Sequence, residues 1–213
     1  HKRALEGDRG PNTGGMGAFS PVTSVGADAE SSIIESILRR AAAALADEGL
    51  RYRGVLFAGL MVTSDGPKVL EFNCRFGDPE TQVVLPRLAS NFGDLITACV
   101  EGKLSGQLVE WTPGACAGVV LASEGYPGPV ATGRPISGLD DAAAVAGGRV
   151  VHSGTGARDG RVLTSGGRVL SVTAVGRDLG DARERAYEAC SRIEFAGMHY
   201  RRDIGELIQQ GAQ

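Results

Sequence analysis

Ile34, Ile37, Leu38, Ala41 and Leu45 recur at steps of three and four residues, the spacing of one face of a helix, and Ser32 with Glu35 offers a capping box at its start. That helix is expected to end near Gly49. Residues Lys2 to Pro21 lack any such period; they are polar and glycine-rich and are expected to form a loop. Apolar positions run unbroken from Gly54 to Val62 and resume from Lys68 to Asn73, with turn chemistry between them in Ser64-Asp65-Gly66-Pro67. The pattern predicts two mostly buried strands joined as an antiparallel hairpin. Asp78 can cap the next helix, with Pro79 at its first position and Pro86 limiting it. A further helix is expected from about Asp94 to Glu101.

After Gly102 the texture changes to short Ala- and Val-rich runs separated by glycine turns, which marks a domain boundary. The predicted strands are Ala115 to Ala122, Arg149 to His152, Arg161 to Thr164 and Arg168 to Val175, the last two joined as a hairpin through Ser165-Gly166-Gly167. From Asp178 to Ile193, Leu179, Ala182, Ala186, Cys190 and Ile193 share one helical face, so this helix is expected to cover the small sheet. The expected organisation is α+β, with domains at 1–102 and 103–213. The polar tail after Leu207 is expected to fray.

Composition narrows the class of function. The 213 residues carry a formal net charge of -3 with no dense Lys/Arg block, so neither a nucleic acid nor a membrane is an expected partner. Cys74, Cys99, Cys116 and Cys190 show no CxxC spacing and read as reduced thiols of a cytoplasmic protein. No apolar stretch reaches transmembrane length. The chain begins at His1, inside what reads as the tail of an element, and a preceding N-terminal portion is expected.

Candidate chemistry gathers where the second hairpin strand ends. Alternation places Val69, Glu71 and Asn73 on one face and Leu70 and Phe72 on the other. A carboxylate and an amide oxygen two residues apart suit a hard cation such as Mg²⁺ that keeps waters and phosphates as further ligands; an ion pair of Glu71 with Arg75 is the alternative. The Arg75 guanidinium suits a carboxylate or an acyl phosphate, and Asp78 suits either an ammonium group or the helix cap. The run Gly10-Pro11-Asn12-Thr13-Gly14-Gly15-Met16-Gly17 can turn its amides around an anion or serve as a mobile turn, and it lacks the P-loop signature. His152 and His199 are expected to be structural, and Arg201, Arg202 and Asp203 to form a surface ion-pair cluster.

His1-Lys2-Arg3 with the Gly10–Gly17 run, Glu71-Phe72-Asn73-Cys74-Arg75-Phe76-Gly77-Asp78-Pro79-Glu80-Thr81-Gln82, and the closing Tyr200-Arg201-Arg202-Asp203-Ile204-Gly205 together closely resemble the phosphoribosylamine-glycine ligase family, also called glycinamide ribonucleotide synthetases. The resemblance implies the second lobe of an ATP-grasp fold over residues 1–102, followed by a small C-terminal domain. It implies ATP-dependent ligation of glycine to 5-phosphoribosylamine in purine biosynthesis, through a glycyl phosphate, with ADP and phosphate released. By the same resemblance, Glu71 and Asn73 hold Mg²⁺ or Mn²⁺, Arg75 stabilises the glycyl phosphate and Asp78 holds the glycine ammonium. Asn12, Thr13, Gly14, Gly15 and Gly17 belong to a loop closing over the phosphate-bearing substrate. Family members are longer, so the nucleotide lobe belongs to a missing N-terminal half of the same protein, and this segment alone is expected to be inactive. Another ATP-grasp carboxylate-amine ligase, or a non-catalytic segment, remains as an alternative.

Overall fold

The computed structural model describes residues 1–206; the tail after Leu207 lies outside the described residues. In chain order the strands and helices are β1 (Arg3–Leu5), β2 (Arg9–Asn12), β3 (Gly17–Ser20), α1 (Ala27–Ile33), α2 (Arg39–Asp47), β4 (Phe57–Thr63), β5 (Gly66–Asn73), α3 (Thr81–Val84), α4 (Phe92–Glu101), β6 (Ala115–Ala122), α5 (Leu139–Ala143), β7 (Gly148–His152), β8 (Thr155–Arg158), β9 (Arg161–Thr164), β10 (Arg168–Gly176) and α6 (Leu179–Arg192). The class is α+β, as the alternation of periods predicts. Packing divides the chain into two units. One comprises His1–Pro21, Asp78–Arg87 and the chain from Thr112 onward; the other comprises Val22–Gly77 and Leu88–Trp111. This division by packing differs from the division along the chain at residue 102.

The first unit is built on a four-stranded antiparallel sheet in the order β3-β6-β10-β7. Every residue of β6 is buried, and β10 is buried through Val169–Ala174, so these two strands form the centre of the sheet. α6 covers it with Ala182, Ala186, Ala189 and Cys190, small side chains that let helix and sheet approach closely. Asp178 caps α6 by accepting from the Asp181 amide at 2.9 Å. Met16, Leu121, Leu170, Val172 and Ile204 fill the same core.

Two expectations are corrected here. The glycine-rich leader is not a loop: β1 and β2 form a ribbon, and β3 adds to the edge of the main sheet with Gly17 opposite Val119 and Ser20 opposite Cys116. Nor do β9 and β10 form a hairpin. Both flanks of β10 are taken by β6 and β7, so β9 pairs instead with β8, and Ser165-Gly166-Gly167 crosses between the two sheets.

Arg201 is buried rather than part of a surface cluster. Its side chain is 1 % exposed, and four of its five guanidinium donors find oxygen acceptors. Nε and one terminal nitrogen bind the two Asp203 oxygens at 2.8 and 2.7 Å. The other terminal nitrogen reaches the Arg3 carbonyl at 3.0 Å and Asp8 at 2.9 Å. The fifth donor faces the His1 ring, with Nδ1 3.3 Å away, while Nε2 of that ring accepts from the Gly205 amide at 3.0 Å. The β1–β2 ribbon is thereby tied to the closing segment, while Arg202 stays exposed with its guanidinium 5.7 Å from the centre of the Tyr200 ring.

In the second unit the helical stretch starts at Ala27 after Gly26, and a π-helical turn over Ile34–Leu38 links α1 to α2. Ser32 and Glu35 therefore lie inside the helix, and Glu35 pairs with Arg39 at 2.8 Å instead of capping. α4 begins at Phe92, capped by Asn91. The β4–β5 hairpin forms in the expected place, but the expected burial is not found: Met61, Leu70 and Phe72 are 52 %, 57 % and 43 % exposed. Among the described residues of this unit, Ala98 is the one buried apolar side chain. No helix among the described residues is long and apolar enough to cross a membrane.

Arg201→Met is expected to lower stability by about 3–5 kcal/mol, because two carboxylates lose their buried cation; denaturant unfolding of the complete protein measures it. Hydrogen bonds from Arg201 hold the Asp203 carboxyl below its ordinary value of 3.8. A depressed folded-state value means that this stabilisation is complete above 3.8 and drains away as pH falls through the folded value. Asp203→Asn is therefore expected to flatten the acid limb of the stability–pH curve, which repeated unfolding titrations between neutral and acid pH will record.

Candidate functional site

Two groups of candidate residues occur, one in each unit. In the second unit, Glu71 and Asn73 stand on the last turn of the β5 pleat. Glu71 pairs with Gly59, Phe72 with Ala58 and Asn73 with Phe57, so Glu71 and Asn73 share a face and Phe72 takes the other. Val69 does not share that face. A register shift lets Val69 pair with Leu60, whose side chain points opposite to Gly59, so the strand irregularity at Leu70 reverses the alternation. Gly59 has a positional reason to be glycine: a Cβ there would stand 3.1 Å from Glu71 Cγ and 3.7 Å from Oε1. The Glu71 side chain thus lies across the bare backbone of β4.

Arg75 folds back on the same strand end. One terminal nitrogen donates to Asn73 Oδ1 at 3.3 Å and the other to the Phe76 carbonyl at 2.8 Å. Glu71 and Arg75 are exposed and Asn73 is half-buried, so the oxygen pair is open to solvent. Among the described residues no cluster of three or more His, Cys, Asp or Glu gathers to hold a metal. A two-oxygen donor set of this kind fits a hard divalent cation that draws its other ligands from water and phosphate, and does not fit a closed zinc site.

The other group lies in the first unit. Asp78 does not cap a helix: α3 starts after Glu80 without a side-chain cap. Its carboxylate instead meets the Arg168 guanidinium in a two-pronged pair, at 3.2 Å to Oδ1 and 2.9 Å to Oδ2, and Oδ1 also accepts from Gln82 at 3.0 Å. Asp78 keeps a side chain 45 % exposed, so one edge remains accessible. Arg168 donates as well to the carbonyls of Gly14 at 2.9 Å and Asp78 at 3.0 Å.

The glycine-rich run is held inward. The Thr13 and Met16 amides donate to the carbonyls of Lys2 and His1, both at 2.8 Å. The Gly14 amide donates to the Tyr126 hydroxyl and the Gly15 amide to Thr13 Oγ1, both at 2.9 Å. Four consecutive N–H groups are therefore engaged within the protein, so of the two readings of the run, amides turned toward an anion or a turn, the first is not the arrangement formed. Thr13, Gly15 and Gly17 are buried, whereas Asn12 and Gly14 are exposed. Gly15 has φ +121°, and a Cβ there would stand 2.4 Å from Pro79 Cδ; a Cβ on Gly14 would stand 2.9 Å from Arg168 Cζ.

His152 and His199 serve the structure: His152 Nδ1 lies 3.0 Å from Thr155 Oγ1, and the His199 backbone pairs with Ala122. Burial pushes the Cys116 thiol up to about 11 and Cys190 up to about 12, leaving both protonated and inert as nucleophiles. Arg168 and Tyr126 escape a reading of the sequence because no local pattern marks them. Arg168 stands 90 residues from Asp78 and 154 from Gly14, and Tyr126 sits in a Gly-Tyr-Pro-Gly turn.

Comparison with known proteins places these features in a family. The model of the phosphoribosylglycinamide synthetase ATP-grasp (A) domain matches residues 1–81, and that of the C domain of the same family matches 116–207. The phosphoribosylamine–glycine ligase of Pseudomonas aeruginosa is 47 % identical over 206 residues, covering 96 % of this chain and 48 % of that protein. The trifunctional purine biosynthetic protein adenosine-3 of Gallus gallus is 50 % identical over 206 residues, covering 96 % of this chain and 20 % of that protein. A crystal structure of phosphoribosylamine–glycine ligase from Thermotoga maritima superposes with TM-score 0.83 at 36 % identity, over 95 % of this chain and 49 % of that one. N5-carboxyaminoimidazole ribonucleotide synthetase from the same organism, at 19 % identity and TM-score 0.56, shares the fold. The chain thus spans about half the length of the single ligases it matches, or less of the multifunctional protein. With matches to both domains in order along its length, the chain belongs to the phosphoribosylglycinamide synthetase family.

Proposed function

We propose that this chain is the C-terminal half of a phosphoribosylamine-glycine ligase, carrying the end of the ATP-grasp domain to about residue 102 and the C domain from there on. The observation that carries this reading is the oxygen pair Glu71 and Asn73, set on one face at the end of β5 with Gly59 clearing space for the carboxylate. The substrates are ATP, glycine and 5-phosphoribosylamine. A glycine carboxylate oxygen attacks the terminal phosphorus of ATP and ADP leaves. The amine nitrogen then attacks the acyl carbon of the glycyl phosphate, the carbon–oxygen bond to phosphate breaks, and the amine gives up a proton.

Glu71 and Asn73 would hold Mg²⁺ or Mn²⁺, which supplies charge neutralisation for the nucleotide phosphates. Arg75, exposed and bonded to neutral oxygens, has the charge to meet the acyl phosphate. The accessible edge of Asp78 would take the glycine ammonium. The Asn12–Gly17 run would act as a fixed wall beside the phosphate-bearing substrate, with the Asn12 side chain outward and its amides spoken for. Assignment of both groups to one reaction rests on family membership. The cytoplasm suits this chemistry and four free thiols.

The nearly coreless second unit supports the same reading: Met61, Leu70 and Phe72 are left exposed, an apolar surface that the described residues do not cover. Residues 1–213 alone are accordingly expected to show no glycine-dependent ADP release. In the complete protein, Glu71→Gln and Asn73→Ala are each expected to cut turnover on the order of 100-fold and raise the Mg²⁺ concentration needed for half-maximal rate. Gly59→Ala, which crowds Glu71 without removing it, is expected to raise the Mg²⁺ requirement with a smaller loss of turnover. A coupled ADP assay titrated with Mg²⁺ reads all three; unchanged metal dependence in the first two would refute the role of the pair.

A further inference from the structure

Arg168 opens β10, and no feature of the reaction as described gives it a role. Its guanidinium is nevertheless the meeting point of two segments that the reaction uses. It binds both oxygens of the Asp78 carboxylate, the Asp78 carbonyl and the Gly14 carbonyl, all within 2.9 to 3.2 Å. Its side chain is 23 % exposed and that of Asp78 45 %, so the pair is partly open to water, and what the two-pronged fork adds is direction as well as distance. The fit is tight from the other side too. The guanidinium carbon lies 2.9 Å from where a Gly14 Cβ would be, and Tyr126, whose ring packs on Gly167 next to Arg168, holds the Gly14 amide.

We infer that Arg168 is a positioning residue: it locks the Asp78 carboxylate and the glycine-rich run together, so that Asp78 presents one fixed edge to the amino group of the amino-acid substrate. The inference rests on the ligase reading for its kinetic consequence, but the lock itself is a property of the fold. Without Arg168 the carboxylate is held only by the Gln82 hydrogen bond to Oδ1 and loses its fork, and the Gly14 carbonyl loses its partner. A lysine can follow one carboxylate oxygen but cannot hold the fork and the Gly14 carbonyl together.

The test uses the complete protein with Arg168→Met and Arg168→Lys. Steady-state ADP release gives KM for glycine, KM for ATP and kcat, and hydrogen exchange follows peptides covering residues 10–17 and 115–122. For Arg168→Met, the expected result is a rise in the glycine KM on the order of 10- to 100-fold, with the ATP KM within about twofold. Exchange should accelerate over 10–17 and stay unchanged in β6. Arg168→Lys should fall between Met and the native residue in both readouts.

An unchanged glycine KM would overturn the kinetic claim, as would a parallel worsening of both KM values with faster exchange everywhere, the mark of a merely structural loss. Full recovery by lysine would overturn the fork. Should the unaltered protein release no ADP in response to glycine, the ligase reading falls, and the exchange measurement still decides whether Arg168 makes the lock.

Discussion

A guanidinium removed from water needs partners for its donors, and Arg201 finds them by drawing together residues from opposite ends of the chain. Asp203 takes two of its donors, Arg3 and Asp8 take two more, and the His1 ring lies beside the fifth. A charge in this position adds little stability beyond what an apolar side chain would give, but removal of one partner is costly. The consequence is specificity of arrangement. The first twenty residues, too polar and too glycine-rich to form a core, acquire a single course because the closing segment fixes their ribbon and β3 completes the edge of the main sheet.

That dependence explains which parts of the fold can be read locally. The hairpin β4–β5, the helix α6, and the buried strands β6 and β10 announce themselves by period and by turn chemistry, and they form where expected. What fails locally is what another part of the chain decides. β9 and β10 are adjacent and joined by a glycine turn, yet both sides of β10 are already occupied, so the obvious hairpin cannot form. Arg201-Arg202-Asp203 has the composition of a solvated cluster, and only the distant ribbon turns its first residue inward.

The candidate site divides in the same way. Glu71 and Asn73 share a face because two-residue alternation is a local property, and it survives the irregularity at Leu70, whereas Val69 is carried to the other side. The space that Glu71 occupies is set across the hairpin by Gly59, a residue whose contribution is the side chain it lacks. Exposure of Leu70 and Phe72 beside this pair is the counterpart of a strand read as buried. The sequence pattern is that of a covered strand, and among the described residues these side chains stay exposed.

The glycine-rich run shows why motif and mechanism need separate arguments. Glycines near a phosphate chemistry invite the reading that bare amides approach the anion, yet the Thr13, Gly14, Gly15 and Met16 amides all donate within the protein. Packing supplies a reason for the small residues: Pro79 leaves no room for a Cβ on Gly15, and a Cβ on Gly14 would crowd the Arg168 guanidinium. The run is thereby a surface shaped from behind by the C-terminal part of the chain, through Tyr126 and Arg168. Glycine here is selected by what lies beneath the backbone, so its abundance alone carries no information about what lies above it.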